Sequence, residues 1–234
     1  MSLNDNLITK QNQILSKLEE LQKRLDNITA SDVVTENEKR ISNYLANDLK
    51  LDFKLTRVPS TYYDWTLEQR SNYLKTPSPE YLCKTIILEN TECVNSDTSI
   101  QSNSRYYAVI IQYTTKIQSH KIFKFIKNIN PQESSKKFHF RLAPPEVTQQ
   151  MTGFEFNAVC PVGGNTRIPI IISKHIMDLP HGKAWLGGGE VDLKLEIDTL
   201  QFKQRVEESG TLVYVTDIID PVNITTNSTT DDLQ

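Results

Sequence analysis

Lys84 is the charged residue of this chain whose setting could support chemistry. It stands in the segment YLCKTIILEN, residues 81–90, where β-branched and aliphatic residues predict a largely buried strand. An ammonium group held in a partly desolvated site can bind a carbonyl oxygen or a phosphate, or polarise an attacking water. The alternative is that the aliphatic stem of Lys84 packs while its head reaches bulk water.

Glycine-bearing turns are the second feature that could serve a site. Three apolar runs between residues 152 and 195 are joined by such turns: TGFEFNAVCPVGG, NTRIPIIISKHIM and KAWLGGGEVDLKL. Glycine where a strand pattern stops allows positive φ angles and lets another molecule approach the backbone. The pattern therefore predicts a pocket built by strands and rimmed by bare backbone. Plain hairpin turns are the alternative.

The elements that must position these residues are helices and strands without a regular strand–helix–strand repeat. Thr35 with Glu38, and Thr66 with Gln69, form capping-box patterns that open two helices. Further helices are predicted at residues 116–130, 146–150 and 199–206, and strands at residues 53–58, 81–90, 106–113, 154–160, 167–173, 184–186, 191–197 and 211–218. This order predicts an α+β fold whose mixed sheet curves around the pocket, with helices packed outside.

Five short motifs follow one another in the order CKTIIL, PEVTQQMTG, NAVCPVG, RIPIII and GGGEVDL. In this order they resemble the YbaK/ProX family of aminoacyl-tRNA editing domains. That family hydrolyses the ester between a wrong amino acid and tRNA, as free-standing proteins or as insertions in prolyl-tRNA synthetases. The resemblance covers residues 36–220 and implies a partly barrel-like sheet.

The resemblance also implies a function, a trans-editing deacylase acting on a mischarged tRNA, with Lys84 as its central catalytic residue. An aminoacyl ester is already activated, so its hydrolysis needs a positioned water and a stabilised oxyanion, but no metal, cofactor or protein nucleophile. The implied substrate-binding residues are Asn157, Ala158, Val159, Cys160, Pro161, Gly163, Ser173, Gly187, Gly188 and Gly189.

Two departures from the family pattern bear on the choice of amino acid. Asn157 replaces the glycine of a glycine-x-x-x-proline motif, and Ser173 replaces a frequent aspartate. Asparagine tolerates left-handed backbone angles, so the fold can persist while the pocket width changes. Ala158 suggests a small substrate of the alanine, cysteine, serine or threonine class, although apolar pockets discriminate weakly by one methylene.

Positive charge is local in this chain, because its formal net charge is −3. The candidate contacts with tRNA phosphates are Lys116, Lys121, Lys124, Lys127, Lys136, Lys137 and Arg141. A solvated helix face studded with lysines is the alternative. Tyr62, Tyr63 and Trp65 could stack on bases, but packing is the favoured interpretation.

The chain divides into a heptad helix at residues 1–30, an editing-type domain at 36–220 and a disordered tail at 221–234. The heptad residues are Leu7, Ile14, Leu21 and Ile28, with Leu18 and Leu25 in the alternate seam position. Such a helix could dimerise, dock on a synthetase or fold back on its own domain. The tail has too few apolar residues to pack.

Three cysteines without C-x-x-C spacing, and the lack of a signal or membrane-spanning pattern, predict a cytoplasmic protein with reduced thiols and no membrane partner. Two other functions remain open at this stage. One is a noncatalytic tRNA-binding or synthetase-associated adaptor that uses the N-terminal helix. The other is a small-molecule hydrolase with Cys160 as its nucleophile. His175 and His181 could act as a base, but surface positions are favoured.

Overall fold

The computed structural model describes residues 3–29 and 34–221 of the 234-residue chain. The α-helices in these residues are α1 (Leu3–Thr29), α2 (Glu36–Asn43), α3 (Leu67–Leu74), α4 (Ser119–Ile129), α5 (Pro145–Thr152), α6 (Lys174–Met177) and α7 (Thr199–Glu208). The strands are β1 (Phe53–Arg57), β2 (Cys83–Asn90), β3 (Tyr106–Gln112), β4 (Thr115–Ile117), β5 (Phe140–Leu142), β6 (Ile170–Ser173), β7 (Lys183–Gly187), β8 (Leu193–Asp198), β9 (Val213–Thr216) and β10 (Ile219–Pro221).

The strands form one central mixed sheet and two smaller antiparallel sheets. The central sheet has the order β5-β2-β3-β6-β9, antiparallel on the β5 side of β3 and parallel from β3 to β9. The second sheet has the order β1-β8-β7, and β10 pairs with β4. The α+β class predicted from the sequence is confirmed, and the described strands form no closed barrel.

The central sheet is covered on both faces, which explains why β2 and β3 read as nearly continuous apolar runs. Along β3, Ala108 and Ile110 belong to a core that also contains residues of α2, α7 and the β1-β8-β7 sheet. Tyr107 and Val109 point to a second core that includes Ile122 of α4. Each fully buried isoleucine or valine contributes about 2 kcal/mol through removal of apolar surface from water.

Helix caps follow the sequence patterns with one difference. Thr66 and Gln69 form the complete reciprocal capping box of α3. Thr35 accepts a hydrogen bond from the Glu38 amide at the start of α2. The Glu38 carboxylate, however, binds Arg57 at 2.6 Å instead of returning to the cap, so that this box is only half formed.

Three sequence predictions are corrected by the structure. Residues 154–160 form no strand, because Gly153 and Asn157 take φ angles of 71° and 63° and turn the chain. The helix predicted from residue 116 begins at Ser119, because Thr115–Ile117 pair with Ile219–Pro221 as a ribbon. The last predicted strand, 211–218, shortens to Val213–Thr216.

The N-terminal segment is a helix, as the heptad spacing predicts. Leu7, Ile14, Leu18 and Leu21 are each more than half exposed, at 53–59%, so these side chains do not pack on the remainder of the protein. The predicted break at 29–32 falls largely outside the described residues, as does the predicted disordered tail beyond residue 221. No helix within residues 3–29 and 34–221 combines the length and the apolarity that crossing a membrane requires.

Candidate functional site

A cavity of about 580 Å³ lies where β2 of the central sheet, the end of β7 and the turn after α5 meet. Strand β2 supplies Lys84, Thr85, Ile86 and Ile87 to its wall. Phe154, Phe156, Asn157 and Val159 come from the turn, and Gly187 comes from β7. The volume is in the range of sites for small ligands, and the lining combines polar and apolar groups in nearly equal measure.

Lys84 lies on the cavity wall near the start of β2, opposite Ile111 of β3. Its side chain is half-buried, and Nζ is 5.6 Å from the centre of the Tyr113 ring. The face of an aromatic ring attracts a cation and thereby helps to hold the ammonium beside the cavity. The structure thus places a positive charge on the wall, while the catalytic role of Lys84 stays a prediction.

Arg70 of α3 is a second cation on the cavity wall, and it is not among the site residues predicted from the sequence. Its guanidinium donates to the carbonyl oxygens of Tyr63 at 2.6 Å and Trp65 at 3.1 Å. It also faces the rings of Tyr62, Tyr63 and Tyr113 at 5.1–5.9 Å from their centres. An arginine one helical turn after a cluster of aromatic residues is the signal that could have identified it.

The aromatic residues around Arg70 have divided roles. Tyr62 is 4% exposed and packs in a small core with Val58 and Leu82, so the packing interpretation is confirmed for this ring. Tyr63 packs against the same core and also lines the cavity. Its hydroxyl donates to the backbone carbonyl of Asn157 at 3.2 Å.

Lys194 is a buried lysine directly behind this wall, and it too is absent from the site residues predicted from the sequence. It is 6% exposed and lies in β8, the middle strand of the β1-β8-β7 sheet, where it is paired with Gly187 of β7. Its Nζ donates to the Tyr63 hydroxyl at 2.6 Å and to the Val191 carbonyl at 2.9 Å. Burial, together with the nearby charge of Arg70, lowers the pKa of Lys194 to about 7.

The glycines at the end of β7 allow close packing of the backbone, and one of them also lines the cavity. A Cβ atom on Gly187 would lie 2.5 Å from the carbonyl oxygen of Val159, so only glycine lets β7 touch the turn at this point. Gly189 has a φ angle of 97° and packs against Phe154 and Ile41. Gly188 and Gly189 are buried and do not line the cavity; Gly187 does.

Other predicted binding residues lie elsewhere. Cys160, Pro161 and Gly163 line a second cavity of about 190 Å³, which shares only Ile87 with the first. Ala158 is buried at 1% exposure and lines neither cavity. Ser173 is fully buried at the end of β6, where its hydroxyl has no hydrogen-bond partner within residues 34–221. Of the predicted substrate-binding residues, only Asn157, Val159 and Gly187 therefore line the same cavity as Lys84.

The rival nucleophile and base candidates are poorly placed for catalysis. Burial raises the pKa of the Cys160 thiol to about 12, so the reactive thiolate is scarce at neutral pH. His175 is exposed beside Asp217, with Nε2 at 3.8 Å from the carboxylate, and His181 is also exposed. Neither histidine lines the Lys84 cavity. Among the described residues, no group of three or more His, Cys, Asp or Glu side chains could hold a metal ion.

The candidate phosphate contacts differ in how much of their charge is available. Lys121 pairs with Asp217 and Asp220 at 3.1 and 3.0 Å, and Arg141 pairs with Glu89 at 2.9 Å. Lys127 donates to carbonyl groups at the end of its own helix. The remaining members of the set are exposed: Lys116, Lys124, Lys136 and Lys137.

An ion cluster fastens the segment that follows the glycine triplet. Arg57 of β1 binds Glu190 and Asp192 at 2.9 Å, besides Glu38 of α2. Burial opposes the charge of Arg57, but hydrogen bonds to the three carboxylates raise its pKa overall. Thr35 also contacts Glu190 through its hydroxyl group. The start of α2 and the 187–192 turn are thus held as one unit.

Comparison with known proteins gives the following matches. A family model described as the aminoacyl-tRNA editing domain matches residues 66–204, which is more than half of the chain. A crystal structure of a proposed trans-editing enzyme for prolyl-tRNA synthetase superposes with a TM-score of 0.60 at 16% identity, covering 80% of this chain and 99% of that one. Comparison with curated proteins gives no match.

Two further solved structures are similar in fold. A designed scaffold for presenting linear epitopes gives a TM-score of 0.59 at 14% identity, with 80% of this chain and 99% of the other covered. A crystal structure of a hypothetical protein gives 0.56 at 19% identity, with 77% and 99% covered. At these identities the likeness shows the fold alone.

Proposed function

Because this chain belongs to the aminoacyl-tRNA editing domain family, we propose that it is a trans-editing deacylase that removes a small amino acid from a mischarged tRNA. The family match confirms the resemblance drawn from Lys84 and the glycine-bearing motifs. It also confirms the enzyme class, a hydrolase of aminoacyl-tRNA esters. The observation that carries the proposal is Lys84 on the wall of a cavity that is large enough for an aminoacylated nucleoside.

The proposed reaction is direct attack of water on the ester carbonyl. The water oxygen bonds to the carbonyl carbon, the bond to the ribose oxygen breaks, and the ribose hydroxyl regains a proton. Lys84 supplies positive charge where the oxyanion or the leaving oxygen develops, in a partly desolvated wall where such charge acts strongly. Arg70 adds a second cation on the same cavity, suited to a phosphate or carboxylate group.

The terminal nucleoside needs an apolar surface, and Phe156 offers one. Its side chain lines the cavity and is 57% exposed, so the ring is accessible to a ligand. Bases stack on such rings with little regard to sequence. A cavity that takes in both nucleoside and amino acid leaves a small share for the amino-acid side chain, which supports the alanine, cysteine, serine or threonine class.

The test is deacylation of a panel of mischarged tRNAs by the full chain, with Lys84→Ala and Lys183→Ala side by side. Lys183 is an exposed lysine of β7, the strand that ends at the cavity, and serves as the matched control. We expect Lys84→Ala to lower kcat/KM by about 100-fold or more, as removal of one oxyanion-stabilising group does. Lys183→Ala should behave as the parent chain.

Two outcomes contradict the proposal: no turnover of any panel member by the parent chain, or equal activity of Lys84→Ala and Lys183→Ala. The first would favour a noncatalytic module that binds tRNA or a synthetase. That second candidate function has one observation in its favour, the four exposed leucine and isoleucine side chains along the seam of α1. Its partner would be a synthetase or a second copy of the chain.

A further inference from the structure

Lys194 occupies a position where a lysine is costly. Its strand neighbours Leu193 and Leu195 are buried apolar residues, and Lys194 itself is 6% exposed. Removing an ammonium from water is unfavourable unless hydrogen bonds and charge partners replace the lost hydration. An apolar side chain would fill the same place without that cost, so the amine is expected to have a task beyond packing.

The surroundings of the amine show what it holds. Two of its protons go to the Tyr63 hydroxyl and the Val191 carbonyl, at 2.6 and 2.9 Å. The ammonium also lies 4.5 and 5.3 Å from the ring centres of Tyr63 and Tyr62. These contacts replace its hydration, and three of the four involve the 62–63 aromatic pair.

The direction of the hydrogen bonds follows from the protonated form of Lys194. An ammonium group can only donate, so the Tyr63 oxygen accepts from Lys194 and the Tyr63 proton points to another acceptor. That acceptor is the carbonyl of Asn157, at 3.2 Å. Asn157 lies on the cavity wall with its backbone in the left-handed region, at a φ angle of 63°.

We propose that Lys194 is a positioning residue which, through Tyr63, fixes the Asn157 turn and thereby sets the width of the cavity for the amino-acid side chain. Lys194 does not line the cavity; Tyr63 and Asn157 do. Tyr63 lies just before the segment that matches the family model, whereas Lys194 and Asn157 lie within it. The inference rests on the proposed deacylase function and assigns a determinant of its substrate choice.

The experiment compares Lys194→Met, Tyr63→Phe and the double variant on one tRNA charged with alanine or with valine. Methionine keeps an unbranched stem without a donor, and phenylalanine removes only the hydroxyl. We expect each single variant to lower the preference for the alanyl over the valyl ester about 10-fold, the scale of discrimination that one or two methylenes allow. The change should come from a lower KM for the valyl ester, while kcat of Lys194→Met for the alanyl ester stays within about 3-fold.

The double variant separates positioning from general stability. If Lys194 acts through Tyr63, the double variant loses no more preference than either single variant. Additive losses, or an unchanged preference, overturn the inference while leaving the deacylase function in place. If Lys194→Met does not fold, the preference of Tyr63→Phe for the alanyl over the valyl ester tests the inference alone. Lack of turnover by the parent chain on both esters would remove the deacylase function and this inference with it.

Discussion

At the scale of single residues, two cations on the cavity wall and one behind it differ in how they are stabilised. Lys84 lies against Tyr113, and Arg70 is held by two backbone carbonyls and three aromatic rings. Lys194 is almost fully buried and donates a hydrogen bond to the hydroxyl of Tyr63, which lines the cavity. Burial and the nearby charge of Arg70 lower the pKa of Lys194, so its charge is sensitive to pH near neutrality.

The pH dependence of stability should reveal Lys194. Its pKa is lowered in the folded protein to about 7 from an ordinary value of 10.5, so between these values the unfolded chain binds a proton that the folded protein does not. Stability then rises with pH across that window, and the full cost of the buried charge is present below pH 7. The groups that face the amine are Arg70, Asp192, Tyr62 and Tyr63.

Between pH 7 and pH 9, we expect the free energy of unfolding of the parent chain to rise because Lys194 loses its proton. The rise for Lys194→Met should be smaller by about 2 kcal/mol. Urea unfolding at both pH values measures the difference, and titration of other groups cancels between the two proteins. Parallel pH curves for parent and variant would show that the amine keeps its ordinary pKa in the folded state.

At the scale of elements, the cavity depends on contact between the end of β7 and the turn after α5. Gly187→Ala would place a methyl group 2.5 Å from the Val159 carbonyl, and one of the two segments must move. We expect a loss of about 1–3 kcal/mol in the free energy of unfolding, as overpacking produces, together with a raised KM for the aminoacyl ester. Chemical denaturation and steady-state deacylation measure the two effects.

Gly182→Ala, just before β7, is the matched control. A Cβ atom there meets nothing closer than 3.7 Å, but the φ angle of 58° makes a non-glycine residue cost about 1–2 kcal/mol. Stability should fall in both variants, whereas KM should rise only in Gly187→Ala. A rise of the same size in both would mean that the contact with Val159 does not shape the cavity.

The sequence could predict those parts of the site whose signals are local. A charge inside an apolar strand marks Lys84, and the resemblance to the editing family marks Asn157, Val159 and Gly187, which line the same cavity. Lys194 and Tyr63 are 131 residues apart and meet only through the packing of β8, which no local pattern shows.

The same limit explains the misplaced strand at 154–160. Its apolar residues predict an extended segment, but the positive φ angle at Asn157 bends the chain, after which Cys160 and Gly163 line a different cavity. The fold class is accessible from the sequence because helix caps and apolar runs are local signals, whereas the turn that carries the chain from one cavity to the other is not visible in the apolar pattern.

At the scale of the whole molecule, the exposed seam of α1 bears on assembly. The spacing of Leu7, Ile14, Leu18 and Leu21 matches one copy of the helix to another, because identical heptads interlock in register. We therefore expect the full chain to form dimers that are lost on deletion of residues 1–30, with deacylation of tRNA retained by the shortened chain. Light scattering coupled to gel filtration gives the mass of each protein.

Deletion of residues 222–234 is the control for shortening at the other terminus and should leave the oligomeric state unchanged. A monomeric full chain that nevertheless co-elutes with a synthetase would assign α1 to that partner instead. Loss of turnover in the chain lacking residues 1–30 would contradict the separation of the helix from the catalytic domain.

Ile87 is the single residue shared by the linings of the two cavities. Its side chain borders both spaces, so a shorter side chain at this position would leave additional room beside each of them. A descendant of this protein could in this way acquire room for a bulkier cargo by one codon change, without rebuilding the strands around it.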